Sequence, residues 1–116
     1  SSEIIYGLRN FIGNANKFSK NKIEIFLKSN NNDTEILIKD DGPGFPKDLI
    51  EKHRLGEPYI RSANQENISK YGLGLGTFIG KTLLEKNYAN IIFKNSGEKG
   101  GAEVIIKWKN KDLKII

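Results

Sequence analysis

The hydrophobic periods of this chain predict an α/β sandwich, a two-layer fold with a mixed, mostly antiparallel sheet packed against about three helices. Four short stretches alternate polar and apolar residues, two longer ones repeat apolar residues at helical spacing, and 116 residues suffice for one such core but not two. From Glu3 to Ser19, Ile4, Leu8, Phe11, Ile12 and Ala15 form one helical stripe. Lys22–Lys28 sets Ile23, Ile25 and Leu27 against Glu24 and Lys28, which predicts a strand. The Asn-rich stretch Ser29–Asp33 turns the chain into a second strand, Asp33–Lys39, so the pair should be an antiparallel hairpin. Pro46–His53 reads as a short helix. The polar stretch 54–71, broken by Gly56 and Pro58, has no period, and a loop of that length in a small domain is usually functional or mobile. Thr77–Lys86 is a helix, followed by strands Asn90–Lys94 and Ala102–Lys109 around a Ser96–Gly101 turn.

Composition narrows the function. No apolar run approaches the ~20 residues of a membrane span, and no signal-peptide pattern opens the chain. The absence of cysteine removes disulfides, thiolate zinc sites and cysteine nucleophiles, and fits a cytoplasmic location. The net charge of +5, from 19 basic and 14 acidic residues, suits an anionic ligand or weak nucleic-acid association but identifies neither. Lys107, Lys109, Lys111 and Lys114 read as a solvated edge strand and tail.

Three segments carry chemistry. In Asp40-Asp41-Gly42-Pro43-Gly44-Phe45-Pro46 a strand delivers a carboxylate into a glycine-rich turn. Asp40 can accept hydrogen bonds from an exocyclic amine while Gly42 and Gly44 let backbone approach a flat ligand; the alternative is an ordinary Asp-capped turn. On the first helix Asn10, Asn14 and Lys17 form a polar row along the border of the apolar stripe. That row is either a solvated flank or a triphosphate site, with amide oxygens on a hard cation and lysine as a point charge. Gly7 and Gly13 cost the helix roughly 1 kcal/mol each relative to alanine, which close packing against a sheet or ligand would explain. In Lys70-Tyr71-Gly72-Leu73-Gly74-Leu75-Gly76-Thr77, alternate glycines precede a helix whose free N–H groups favour phosphate. Gly80-Lys81-Thr82 is not the end of a P-loop, because Leu75 occupies the required earlier glycine position. A Rossmann fingerprint also fails, since no strand precedes the glycines.

Together these segments are recognisable. Asn10-x-x-x-Asn14-Ala15-x-Lys17-Phe18, Asp40-x-Gly42-x-Gly44, Gly72-x-Gly74-x-Gly76 and Gly100-Gly101-Ala102 resemble the N, G1, G2 and G3 boxes of the ATP-binding catalytic domain of sensor histidine kinases. That domain belongs to the wider family shared with gyrase, Hsp90 and MutL, whose sandwich is called the Bergerat fold. Leu55-Gly56-Glu57-Pro58-Tyr59 and the run Gly72–Glu85 are similar, more narrowly, to the RegB/PrrB type of redox-responsive kinase.

The resemblance implies one catalytic domain over 1–116 that binds ATP and Mg²⁺. Asp40 would accept from the adenine amine, with Gly42 and Gly44 giving the base room. Asn14 would ligate Mg²⁺ with Asn10 beside it, Lys17 would touch phosphate, and Phe18 would pack near ribose or adenine. Residues 54–71 would form the ATP lid, with Arg61 and Lys70 facing phosphate, and Gly72, Leu73, Gly74, Leu75, Gly76 and Thr77 would bring backbone N–H groups to it. Thr77 stands where the G2 box usually has leucine, and Pro58-Tyr59 replaces a phenylalanine-rich lid segment. Hydrolysing relatives carry a glutamate base at the position of Asn10, and an amide cannot take a proton from water. The site would therefore hold ATP for transfer to a histidine on a separate dimerisation and phosphoacceptor domain, with a response regulator downstream. His53 reads as a surface residue at a helix end rather than the acceptor. The chain is expected to be a monomeric fragment of a homodimeric, cytoplasmic or membrane-anchored kinase that binds no nucleic acid. The alternatives are a serine protein kinase of the anti-sigma-factor type and a non-catalytic nucleotide-sensing module.

Overall fold

In the computed structural model, residues 1–47, 50, 75–96 and 100–114 are described. The expected lid 54–71 with Arg61 and Lys70, His53, and Gly72, Leu73 and Gly74 lie outside them. The chain runs α1 (Ser2–Phe18), β1 (Ile23–Ser29), β2 (Asp33–Asp40), α2 (Leu75–Lys86), β3 (Asn90–Asn95), β4 (Ala102–Lys109) and the single turn α3 (Asn110–Leu113). A helical hydrogen bond from the Ile50 N–H to the Pro46 carbonyl (3.2 Å) lies within the expected short helix. The helix expected from Thr77 already includes Leu75 and Gly76.

The strands form one sheet in the order β1-β2-β4-β3, every pairing antiparallel. One expectation fails here: β4 is not an edge strand. Its inward residues Val104, Ile106 and Trp108 are buried, whereas Lys107 and Lys109 stand on the opposite, outer face. Alternation along a strand reveals which residues share a face but not how many neighbours the strand has. The core face places Ile38 opposite Val104, and Ile36 opposite Ile106. Phe11 and Ala15 of α1 and Leu84 of α2 close the core from above. Trp108 donates its indole N–H to the Asn87 carbonyl (3.0 Å), so the only tryptophan is both buried and hydrogen-bonded.

The two long helices touch through small residues. A Cβ on Gly7 would lie 2.8 Å from Leu84 Cγ, and one on Gly80 would lie 3.1 Å from Phe11 Cζ. Close packing thus explains Gly7, but a Cβ on Gly13 would meet nothing within 4 Å among the described residues, so packing within them does not explain it. At the far end Lys86 Nζ donates to Glu3 (3.0 Å) and, with Asn87, holds the Glu3 carboxyl below its usual range. Among the described residues no helix is long and apolar enough to cross a membrane.

Candidate nucleotide site

A cavity of about 230 Å³ opens where the C-terminal half of α1, the end of β2 and the start of α2 meet. Its apolar surface comes from Ile38, Phe93, Ala102 and Val104 of the sheet and Phe11, Ala15 and Phe18 of α1. Pro43, Gly44, Phe45 and Pro46 wall one side, and Asp40, Asn14 and Thr77 supply the polar groups. Phe93 makes edge-to-face contacts with Phe11 (5.7 Å) and Phe45 (5.6 Å), which ties the loop after β2 to the core.

Asp40 is fixed from two directions. Its Oδ1 accepts from the Gly42 N–H (2.8 Å) and, more weakly, the Ala102 N–H (3.4 Å); neither bond uses Oδ2. One carboxylate oxygen organises the loop and the other can serve a ligand. Gly42 is required for a different reason than the sequence suggests. A Cβ there would run into the Phe18 carbonyl, so this glycine seats the loop against the end of α1 rather than making room for a base. Gly44 does line the cavity, in the left-handed region at φ +86°, which glycine adopts without penalty. Gly101 carries φ +92°, and a Cβ on it would strike the Asp40 carbonyl. The G1-like and G3-like segments therefore pack backbone to backbone.

Asn10 and Asn14 converge on the first turn of α2. Asn10 Nδ2 donates to the Tyr6 carbonyl (2.9 Å), and Asn14 Nδ2 donates to Thr77 Oγ1 (2.9 Å). With both amide nitrogens engaged, the oxygens meet at Gly76, where a Cβ would lie 3.4 Å from Asn10 Oδ1 and 3.8 Å from Asn14 Oδ1. The two oxygens thus sit beside the N-terminal side of α2, and the N-terminal end of a helix favours anions through its dipole. Lys17 is exposed on the same border, its Nζ 5.6 Å from the centre of the Phe18 ring.

Two contributors are not legible in the sequence, and a third takes a further role. Thr77, expected to bring a backbone N–H to phosphate, is 3 % exposed and uses its side chain to bond Asn14. Asn95 accepts from the Phe45 N–H (2.7 Å) and donates to the Phe45 carbonyl (3.0 Å), clasping the cavity loop by its backbone. Asp41 points away from the cavity and accepts from the N–H groups of Lys20, Asn21 and Lys22. The Asn21 N–H above all holds its carboxyl below the ordinary value; desolvation, the next largest effect, opposes it, and the N–H groups of Lys20 and Lys22 add to the lowering.

Among the described residues no three His, Cys, Asp or Glu side chains gather as a metal cage. The amide pair at Gly76 still fits Mg²⁺, which takes hard oxygen donors, keeps several waters and is commonly held by one or two protein groups together with substrate phosphates.

A sheet under two helices, with a strand-end carboxylate and an amide lining one apolar cavity, is an α/β sandwich with a ligand site between its layers. Residues 2–112 match the model of the histidine kinase-, DNA gyrase B- and HSP90-like ATPases, and the chain belongs to that family. It is 38% identical over 101 residues to the sensor histidine kinase RegB of Cereibacter sphaeroides, covering 83% of this chain and 21% of RegB. Among solved structures it resembles the mycobacterial sensor histidine kinase MprB, with a TM-score of 0.73 and 24% identity over 93% of this chain and 72% of that one. It also resembles full-length ShkA, solved in complex with AMPPNP (TM-score 0.68, 25% identity, 91% of this chain and 21% of ShkA). The chain spans about a fifth of the length of RegB, 21%.

Proposed function

We propose that this domain binds Mg·ATP and passes the γ-phosphoryl group to a histidine on a separate dimerisation and phosphoacceptor domain, in a two-component system with a response regulator downstream. The observation that carries this reading is that Asp40 and Asn14 line one apolar cavity, with the Asn10 oxygen beside that of Asn14 at Gly76. The apolar walls suit a flat heteroaromatic ring, and Asp40 Oδ2 is an acceptor for its exocyclic amine. Asn14 would hold Mg²⁺ with Asn10 beside it, and Lys17 lies on the same border to reach phosphate as a point charge. When bound, Mg²⁺ neutralises charge on the phosphates, so the rest of the chemistry is positioning. Residues 54–71, with Arg61 and Lys70, would form the lid over the phosphates, joined to α2 by Gly72, Leu73 and Gly74.

Asn10 decides between transfer and hydrolysis. Its nitrogen already donates to Tyr6, and an amide oxygen cannot accept a proton from water at neutral pH. The cavity therefore holds ATP without a general base, and the nucleophile comes from outside this domain. The similarity to RegB over most of this chain supports that reading, and the parent protein would be a homodimer.

Titration calorimetry with ATP and GTP, with Mg²⁺ and with EDTA, tests the binding half. ATP should bind well ahead of GTP and require Mg²⁺ for full affinity; equal binding of the two nucleotides would remove Asp40 as a base reader. Adding the phosphoacceptor domain with ATP should give an acid-labile phosphohistidine. An acid-stable phosphoserine on a partner would move the domain to the serine-kinase class.

A further inference from the structure

We infer that Thr77 is a positioning residue that tethers the Asn14 amide nitrogen and so holds its oxygen toward the metal; the inference rests on Asn14 holding Mg²⁺ as proposed above. A carboxamide has an oxygen acceptor at one corner and an NH₂ donor at the other, and a half-turn about its last bond exchanges them. Only one orientation offers oxygen to a cation; the other presents N–H dipoles that repel it. The cation itself selects the first, and a partner for the NH₂ group then holds the amide there.

Thr77 Oγ1 is that partner: a hydroxyl can accept from an NH₂ or donate to an oxygen, so it does not choose the orientation but fastens the one the cation selects. It lies 2.9 Å from Asn14 Nδ2 and sits on a residue only 3 % exposed, so no water readily substitutes for it. A threonine side chain has few rotamers on a helix, so its oxygen is held in place by the backbone of α2. With the nitrogen committed to Thr77, the Asn14 oxygen is left on the side of Gly76, where the Asn10 oxygen also lies. The bond further couples the two helices. Asn14 belongs to α1 and Thr77 to the first turn of α2, so the amide is oriented only when α2 is in register with α1. Withdrawal of electron density from the amide oxygen by a cation also makes its NH₂ a stronger donor to Thr77, so the two contacts reinforce one another.

Partners that orient a metal ligand without touching the metal typically change metal affinity 10–100-fold when removed. Thr77→Val keeps shape and removes the acceptor, Thr77→Ser keeps the acceptor, and Thr77→Ala serves as a second acceptor-free variant should valine disturb folding. Each is titrated with ATP across a Mg²⁺ series and again in EDTA, with thermal unfolding as the check on folding. The valine or alanine variant should need about tenfold or more Mg²⁺ for half-maximal binding, a loss larger than any it shows in EDTA. Serine should restore the Mg²⁺ requirement. An unchanged requirement in valine and alanine overturns the inference, as does an equal loss with and without Mg²⁺, which would make Thr77 a packing residue. If the unmutated protein binds ATP equally in Mg²⁺ and EDTA, the metal role of Asn14 fails and takes this inference with it, a result distinguishable from either of the others.

Discussion

Asp40 and Asp41 are neighbours with opposite duties, because successive residues at a strand end point to opposite sides. Asp40 serves the cavity; Asp41 pins the turn between α1 and β1 through three N–H groups. Only the first duty was readable in advance. A carboxylate before alternating glycines is a local pattern, whereas the partners of Asp41 lie about twenty positions upstream and meet it only in the folded chain. The same holds for Asn95, whose clasp on Phe45 spans 50 positions. Substitution separates the two roles: Asp40→Asn should impair adenine selection with little loss of stability, since asparagine retains an oxygen for the Gly42 N–H. Asp41→Asn should do the reverse, with a pH signature. Because folding depresses the Asp41 pKa, the stabilisation is complete above its ordinary value of 3.8 and disappears as pH falls through the lower folded-state value. The stability gap between the unmutated protein and Asp41→Asn should therefore be largest near neutrality and close in acid. Glu3, lowered in the same sense by Lys86, leaves both proteins with a residual acid sensitivity. Denaturant midpoints at neutral and strongly acidic pH measure this; a gap that does not change with pH removes Asp41 as its source.

At the scale of elements, the long helices and the strands are legible because each keeps a single hydrophobic period along its length, but their neighbours are not. Gly7 and Gly13 illustrate the difference: the sequence presents two equivalent helix-weakening glycines, and only packing tells them apart. Leu84, fully buried, blocks a side chain at position 7, whereas a Cβ at position 13 would meet nothing within 4 Å among the described residues. Gly13→Ala should thus stabilise the domain by about 0.5–1 kcal/mol, the ordinary helix gain. Gly7→Ala should destabilise it by roughly 1–3 kcal/mol, since neither Leu84 nor the Gly80 carbonyl can withdraw without moving a helix. Urea denaturation of both variants decides the matter, and two substitutions of the same sign would mean the α1–α2 contact is looser than its geometry implies.

Across the whole molecule, the helical layer is narrower than the sheet. α1 packs chiefly on β2 and α2 on β3, so β1 extends beyond both helices. Ile25 and Leu27 stand opposite Ile38 and Ile36 and so share the core face, yet they are 53 % and 72 % exposed. Phe26, on the outer face, is half exposed and heads a cross-strand row with Leu37, Ile105 and Ile92. The alternation of 22–28 correctly assigns the faces, but how far a neighbouring layer reaches is a property of the assembled fold. The result is three consecutive exposed apolar residues on a strand with one paired edge among the described residues, a pattern that templates edge-to-edge aggregation. A lysine at position 27 would blunt that edge while leaving the buried end of β1 at Ile23 untouched. Leu27→Lys should therefore keep the isolated domain monodisperse to higher concentration and change its unfolding free energy by no more than about 0.5 kcal/mol, as expected for a surface site. Light scattering across a concentration series, paired with denaturant unfolding followed by Trp108 fluorescence, measures both quantities on one sample. A loss of stability of the size seen for core truncations, about 2 kcal/mol or more, would show that Leu27 is covered in solution. Unchanged scattering with unchanged stability would mean that the edge of β1 does not drive association.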